Sequence, residues 1–162
     1  MVFTVVGKSL SAVMMSKSSP PAKMVLREFR YPADYPQVFE LWRNAGHGIH
    51  LRRSDEQAEI AKKLQRDPDL FLVAEIDGSI IGSVLGGFDG RRGMVYHLAV
   101  ADAFRKQGIG SALMEELENR MKEKGCIRAY LLVTHDNLDA VRFYENFEWE
   151  QMDLLIYGKN LE

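Results

Sequence analysis

The run Arg105-Lys106-Gln107-Gly108-Ile109-Gly110-Ser111 sets two glycines between an apolar stretch, Met94 to Val100, and a strongly periodic segment, Ile109 to Lys124. A glycine-bearing turn that opens a helix leaves backbone N–H groups unpaired and facing outward, and the helix dipole adds positive potential at the same place. The chemistry this supports is the holding of an anion, above all a phosphate. Two familiar phosphate loops do not fit. A dinucleotide fingerprint needs a small residue three positions after the second Gly, and that position is Leu113. A P-loop needs Lys and then Ser or Thr after its second Gly, but Gly110 is followed by Ser111 and Ala112. The chain's Gly7-Lys8-Ser9 has Val2 where the first Gly of the loop belongs. On spacing alone, a plain tight turn stays open as the alternative.

Further along, Tyr144 lies seven residues after Asn137, about two helical turns, so both project from one face of a helix. The two stretches together carry a resemblance. Arg105-Lys106-Gln107-Gly108-Ile109-Gly110, preceded by Leu98-Ala99-Val100 and followed by Ala112-Leu113-Met114, resembles the Gln/Arg-x-x-Gly-x-Gly/Ala motif of the GNAT superfamily of acyl-CoA-dependent N-acyltransferases. Asn137-Leu138-Asp139-Ala140-Val141-Arg142-Phe143-Tyr144-Glu145 is similar to that family's Asn-x-x-Ala-x-x-x-Tyr-Glu helix, in the same order along the chain. The likeness runs from about Met24 to the C-terminus and is nearest to small bacterial members of unassigned substrate.

The resemblance implies an α+β fold: a mixed, mostly antiparallel sheet, splayed between its fourth and fifth strands, with helices on both faces. It implies acetyl-CoA as co-substrate and a primary amine of a small molecule or peptide as acceptor. The implied cofactor contacts are Arg105, Lys106, Gln107, Gly108, Ile109, Gly110 and Ser111 at the diphosphate, the backbone of Leu98, Ala99 and Val100 with Asn137 along the pantetheine arm, and Tyr144 at the thiol. Ordinary readings stand beside these: core packing for the three strand side chains, an N-cap for Asn137 and a half-buried aromatic for Tyr144.

Moving an acetyl group from a thioester to an amine requires a neutral amine, stabilisation of charge on the thioester oxygen and a proton for the departing thiolate. The resemblance assigns the last task to Tyr144. A phenol of pKa about 10 gives a proton to a thiolate of about 8.5 uphill by roughly 1.5 units, or about 2 kcal/mol, so hydrogen bonding to the developing thiolate is the expected contribution. On the amine side, a lysine-like amine near 10.4 costs about 4.6 kcal/mol to hold neutral at pH 7, an α-amino group near 8 only about 1.4. Where some relatives carry a Glu before the Asn helix, this chain has Leu132, and on the fourth strand Met94 and Tyr96 occupy the places of other relatives' bases. His97 points to the opposite face from these two if the strand alternates. A water held by Tyr96 and backbone is the expected proton acceptor, which makes Tyr96 the second catalytic candidate. His47-Gly48-Ile49-His50 has no Cys or carboxylate nearby to complete a metal set, and no metal is expected. Arg52, Arg53 and Trp42 fall where the resemblance implies the acceptor pocket. Glu148 stands where relatives commonly have Gly, so a positive φ there implies strain of about a kcal/mol and a rearranged helix end.

These groups need a scaffold, and 162 residues with 46% hydrophobic content suffice for one domain with a core. A charge of −2, from 21 basic and 23 acidic side chains, argues against nucleic acid as partner. The lone Cys126 rules out an intrachain disulfide and fits a reducing cytoplasm. No apolar run is long enough to cross a bilayer, and no membrane partner is expected. Residues 1–23, with their Ser/Pro cluster, read as an extension ahead of a single domain, 24–162. A homodimer is an expectation by analogy alone.

The elements follow from periodicity. Strands are expected over Met24 to Arg30, Leu70 to Ile76, Ser79 to Phe88, Met94 to Val100, Ile127 to Val133 and, last, Met152 to Tyr157. Helices are expected over Asp34 to Asn44, over a segment capped by Ser54 with Gln57 and closed by Asp67-Pro68, over Ile109 to Lys124, and from Asn137. Asp77-Gly78 favours a tight hairpin, and Gly82, Gly86 and Gly87 suggest bends or bulges. Besides the acetyltransferase, two readings fit the residues: an acyl-CoA-binding sensor without turnover, and a nucleotide-binding protein supported by the Gly108 turn alone.

Overall fold

Strands adjacent in sequence pair antiparallel through most of the sheet. A computed structural model of the chain describes residues 19–21 and 23–161; Gly7-Lys8-Ser9 and most of the expected extension lie outside the described residues. Strands β1 (Val25–Glu28), β2 (Phe71–Ile76), β3 (Ser79–Phe88), β4 (Gly93–Val100) and β5 (Ala129–Leu131) stand side by side in sequence order. The first three pairings are antiparallel, and β4 with β5 is parallel. The fold is α+β, as the resemblance implies. Asp77 and Gly78 turn β2 into β3 with φ of 48° and 81°, the two positive values that match hairpin twist.

Helix α3 (Ile109–Glu123) covers one face of the sheet. Its Ile109, Leu113, Met114, Leu117 and Met121 pack with Leu70, Leu72, Ile81, Val84 and Val95. Close approach depends on Gly86 of β3, where a Cβ would come within 2.6 Å of Leu117 Cδ1 and 2.8 Å of Met121 Cε. Helices α1 (Tyr35–Arg43) and α2 (Gln57–Arg66) cover the other face, where Val38, Trp42 and Ile60 meet Phe71, Val73, Leu85 and Ala99. Phe71 stacks between Phe29 at 4.1 Å and Trp42 at 5.7 Å, and Trp42 Nε1–H donates to the buried Ser83 Oγ at 3.0 Å. Helix α4 (Leu138–Asn146) lies against the α3 face through Phe143, Tyr144, Phe147 and Trp149.

Three expectations need correction. The segment Met152 to Tyr157 forms no strand: it is exposed along its length, and β5, at three residues, offers a very short ladder to join. Strand β5 is likewise shorter than Ile127 to Val133. The Ser54–Gln57 capping box is absent. A 3₁₀ turn, Arg53–Asp55, precedes α2, and Asp55 rather than Ser54 caps the local backbone, accepting from Arg52 N–H at 2.8 Å. Asp55 is drawn inward because its other oxygen meets β4.

Candidate functional site

The register of β4 opens the site. Only Gly93, Met94 and Val95 pair with β5, so from Tyr96 to Val100 the edge of β4 has no strand beside it among the described residues. The sheet therefore splays between its fourth and fifth strands, leaving the backbone polar groups of this edge without a ladder. Leu98 and Val100 face the α3 side and Ala99 the α1 side, each packed against its core cluster.

At the end of this open edge the chain turns into α3. Lys106 has φ 60° and Gly108 φ 78°, the left-handed conformations that curl a short loop back onto a helix start. Gly108 is the N-cap and supplies no side chain, and the N–H groups of Gly108, Ile109, Gly110 and Ser111 meet no protein acceptor among the described residues. Arg105 ties the turn down, donating to Val100 O at 3.2 Å and pairing with Asp102 at 2.9 Å, while Gln107 Nε2 donates to Ala103 O at 3.2 Å. The result is a row of amide donors at a helix N-terminus, which suits an anion. Phe143 of α4 lies against this start: a Cβ on Gly110 would be 3.5 Å from its ring.

Across the gap stands α4. Asn137 is its N-cap and accepts from Ala140 N–H at 3.2 Å. Its Nδ2 also comes within 3.1 Å of where a Cβ on Gly48 would sit, so the segment between α1 and α2 reaches the start of α4. Tyr144 is packed by Phe143 at 5.2 Å and Trp149 at 6.2 Å, both edge-on. Burial pushes the Tyr144 phenol up to about 12. Against a thiol near 8.5, that would leave full proton transfer uphill by about 3.5 units, close to 5 kcal/mol, whereas donation of a hydrogen bond costs the phenol no ionisation. The end of α4 is not rearranged. Glu148 takes φ 62°, Trp149 N–H reaches Tyr144 O and Glu148 N–H reaches Glu145 O, both at 3.0 Å, the pattern a Gly usually completes. Trp149 Nε1–H then donates to Glu118 of α3 at 3.0 Å.

The opposite mouth of the gap holds the largest departure from the sequence analysis. Leu85 pairs with His97 and Gly86 with Val95, so Tyr96 is an extra residue, a β-bulge. Alternation breaks there, and Tyr96 and His97 lie on the same face rather than opposite ones. Tyr96, 53% exposed, rests against Gly87 near Lys63 of α2. His97 packs edge-on against Trp42 at 4.9 Å, and its Nε2 is 2.8 Å from Asp55 Oδ1. Burial raises the Asp55 carboxyl, but hydrogen bonds from His97 and the Arg52 N–H outweigh it and hold the group below the usual carboxylate range. The two residues are 42 positions apart, and no local pattern connects them; Gly86-Gly87, opposite the bulge, is the one cue in the sequence. Leu132, where a base was sought, is 61% exposed just past β5. His50 is exposed, and the side chain of His47 lies outside the described residues.

Two hollows open on the surface. One, about 540 Å³, is polar and lined by Glu28, Asp69, Glu116 and Arg120; the other, about 680 Å³, lies among Pro36, Leu41, Ile80, Val100 and Asp102 at the end of β4. Only the second touches the open edge. No helix among the described residues is long and apolar enough to cross a membrane.

With this geometry in view, comparison with known proteins is informative. Residues 35–149 match the Acetyltransferase (GNAT) family. The chain is 42% identical over 138 residues to an acetyltransferase of Pectobacterium atrosepticum, covering 85% of this chain and 96% of that protein. Among solved structures it is similar to Ard1 from Thermoplasma volcanium, with TM-score 0.68 and 28% identity over 77% of this chain and 81% of that one. Arabidopsis thaliana Naa50, solved with the bisubstrate analogue CoA-Ac-MVNAL, shares the fold, with TM-score 0.64 and 21% identity over 81% of this chain and 85% of that one.

Proposed function

The chain belongs to the GNAT acetyltransferase family, and on that premise we propose that it transfers an acetyl group from acetyl-CoA directly to a primary amine of a small molecule or peptide. The observation that carries this reading is the continuity of the unpaired β4 edge, Tyr96 to Val100, with the amide-lined turn that opens α3. One stretch of chain thus offers hydrogen-bonding backbone to an extended arm and, next to it, donors for its phosphates. The Naa50 structure, whose ligand joins CoA to an acetylated peptide, supports the same assignment of ligand class.

In this reading Arg105 and Lys106 flank the diphosphate while the N–H groups from Gly108 to Ser111 hold it. The backbone of Leu98, Ala99 and Val100 pairs with the pantetheine arm and directs a donor at the thioester oxygen, where charge develops as the amine attacks. Asn137 orders the start of α4 beside that arm, and Tyr144 donates a hydrogen bond to the sulfur as it leaves. Tyr96 lies on the acceptor side. Residues 24–162 act as one catalytic domain, and the reducing cytoplasm suits its unpaired Cys126.

Calorimetry with acetyl-CoA, ATP and NAD tests the binding half: acetyl-CoA alone of the three is expected to give heat. Thiol release over an amine panel tests the chemistry. Binding without release with any amine would leave a sensor in place of an enzyme, and heat from ATP or NAD alone would overturn both.

A further inference from the structure

Resting on the acetyltransferase reading, we infer that His97, oriented by Asp55, is the base that takes the proton from the acceptor amine. Sequence alternation turns His97 away from the acceptor side; the bulge at Tyr96 reverses that and sets it on the stretch of β4 that has no neighbouring strand. An imidazole 2.8 Å from a buried carboxylate is the arrangement in which one partner orients the other and stabilises its charged form.

The details favour a poised base over a structural pair. Asp55 is anchored on three sides: Arg52 N–H donates to its second oxygen at 2.8 Å, the Tyr35 hydroxyl donates to its backbone carbonyl at 3.1 Å, and the carboxylate meets His97. An ionised Asp55 takes the Nε2–H, which leaves Nδ1 with the lone pair. Among the described residues Nδ1 has no hydrogen-bond partner, and the side chain keeps 16% of its surface exposed. The charged and titratable groups around the pair are Asp55 and Arg52 from the segment before α2, Tyr35 of α1 with Glu56 beside it, and Tyr96 of β4 with Lys63 of α2 near it and with Asp67, Asp89 and Arg66 acting on its hydroxyl.

The step balances as follows. The acceptor arrives as an ammonium and gives one proton to Nδ1, forming an imidazolium beside the Asp55 carboxylate. The freed nitrogen lone pair makes the C–N bond, the C–S bond breaks with its electron pair on sulfur, and a second N–H proton leaves the nitrogen and reaches the thiolate. The imidazolium later returns its proton to solvent, so one proton is released per turnover. A lysine-like amine is neutral in only about one molecule in 2,500 at pH 7, so the base matters most for strongly basic acceptors at low pH.

The test measures thiol release against pH, over an amine panel, for the wild type, His97→Gln and Asp55→Asn, with thermal melts and acetyl-CoA titrations to show that each variant folds and binds cofactor. His97→Gln is expected to lower kcat/KM at least 100-fold at pH 7, with the deficit shrinking as pH rises and the amine loses its proton unaided. It should also abolish the acidic limb of the kcat/KM profile that protonation of the base produces. Asp55→Asn, which disturbs the β4 core less, is expected to lose about tenfold with that limb displaced. If His97→Gln fails to fold, an unchanged limb in Asp55→Asn overturns the inference. Activity within threefold of wild type, or a deficit independent of pH, overturns it while leaving the acetyltransferase reading intact. A wild type that transfers to no amine removes both.

Discussion

The two walls of the splayed gap are built differently. Among the described residues, every buried apolar side chain lies from Phe29 to Met121, and none beyond Met121 is buried. The first wall, β4 with its α1 and α2 backing, is the edge of a closely packed sandwich. The second, β5 and α4, is held by a three-residue parallel ladder, by rings packed against α3 and by the Trp149–Glu118 hydrogen bond. The difference teaches where rigidity is needed. On the function proposed above, His97 and Asp55 sit on the firm wall, where proton transfer needs fixed geometry, while Asn137 and Tyr144 ride on the wall that would admit and release a large co-substrate.

The contrast can be broken or sharpened by measurement. Trp42→Ala removes a side chain 1% exposed that stacks on Phe71 and bonds Ser83, and should cost about 3–5 kcal/mol in chemical denaturation. A loss near 1 would mean that the first wall is not the rigid one. Acetyl-CoA at a hundredfold its Kd should stabilise the fold by about 2.7 kcal/mol. The added hydrogen-exchange protection should concentrate after Met121 and at the α3 turn, and equal gains in β1 to β3 would contradict the asymmetry.

Tyr144→Phe should slow kcat about 10- to 50-fold, roughly 1.4–2.3 kcal/mol, with acetyl-CoA affinity unchanged in calorimetry. Because the folded phenol lies near 12 and stays protonated below that, the wild type should show no alkaline loss of kcat from Tyr144 up to pH 10. Smallest is Glu148→Gly, which relieves a left-handed non-glycine residue at the end of α4 and should stabilise by about 1 kcal/mol in a thermal melt, raising the protection of α4 more than that of α1.

How much of this was readable in the residues depends on the range of the interaction concerned. The hairpin at Asp77-Gly78, the bounds of β3 and the start of α3 were all legible, because each is set by residues within a few positions of one another. The left-handed Glu148 was legible too, but its consequence was not. The Schellman-type bonds and the Trp149 contacts hold the helix end in its usual form, where strain alone suggested rearrangement. The Ser54–Gln57 cap failed for the converse reason: a tertiary partner, His97, claimed Asp55, and the helix starts two residues later, after Glu56.

The amino-acid order by itself determined the succession of elements from β1 to α4, the glycine turn that opens α3 and the N-cap role of Asn137, since backbone preference and helical period act locally. The tertiary structure alone decided the face His97 presents, the length of β5 and the absence of a strand over Met152 to Tyr157. These depend on register between strands, and a register shifted by a single bulge residue turns side chains from one face of a sheet to the other without leaving a trace in the spacing of the sequence.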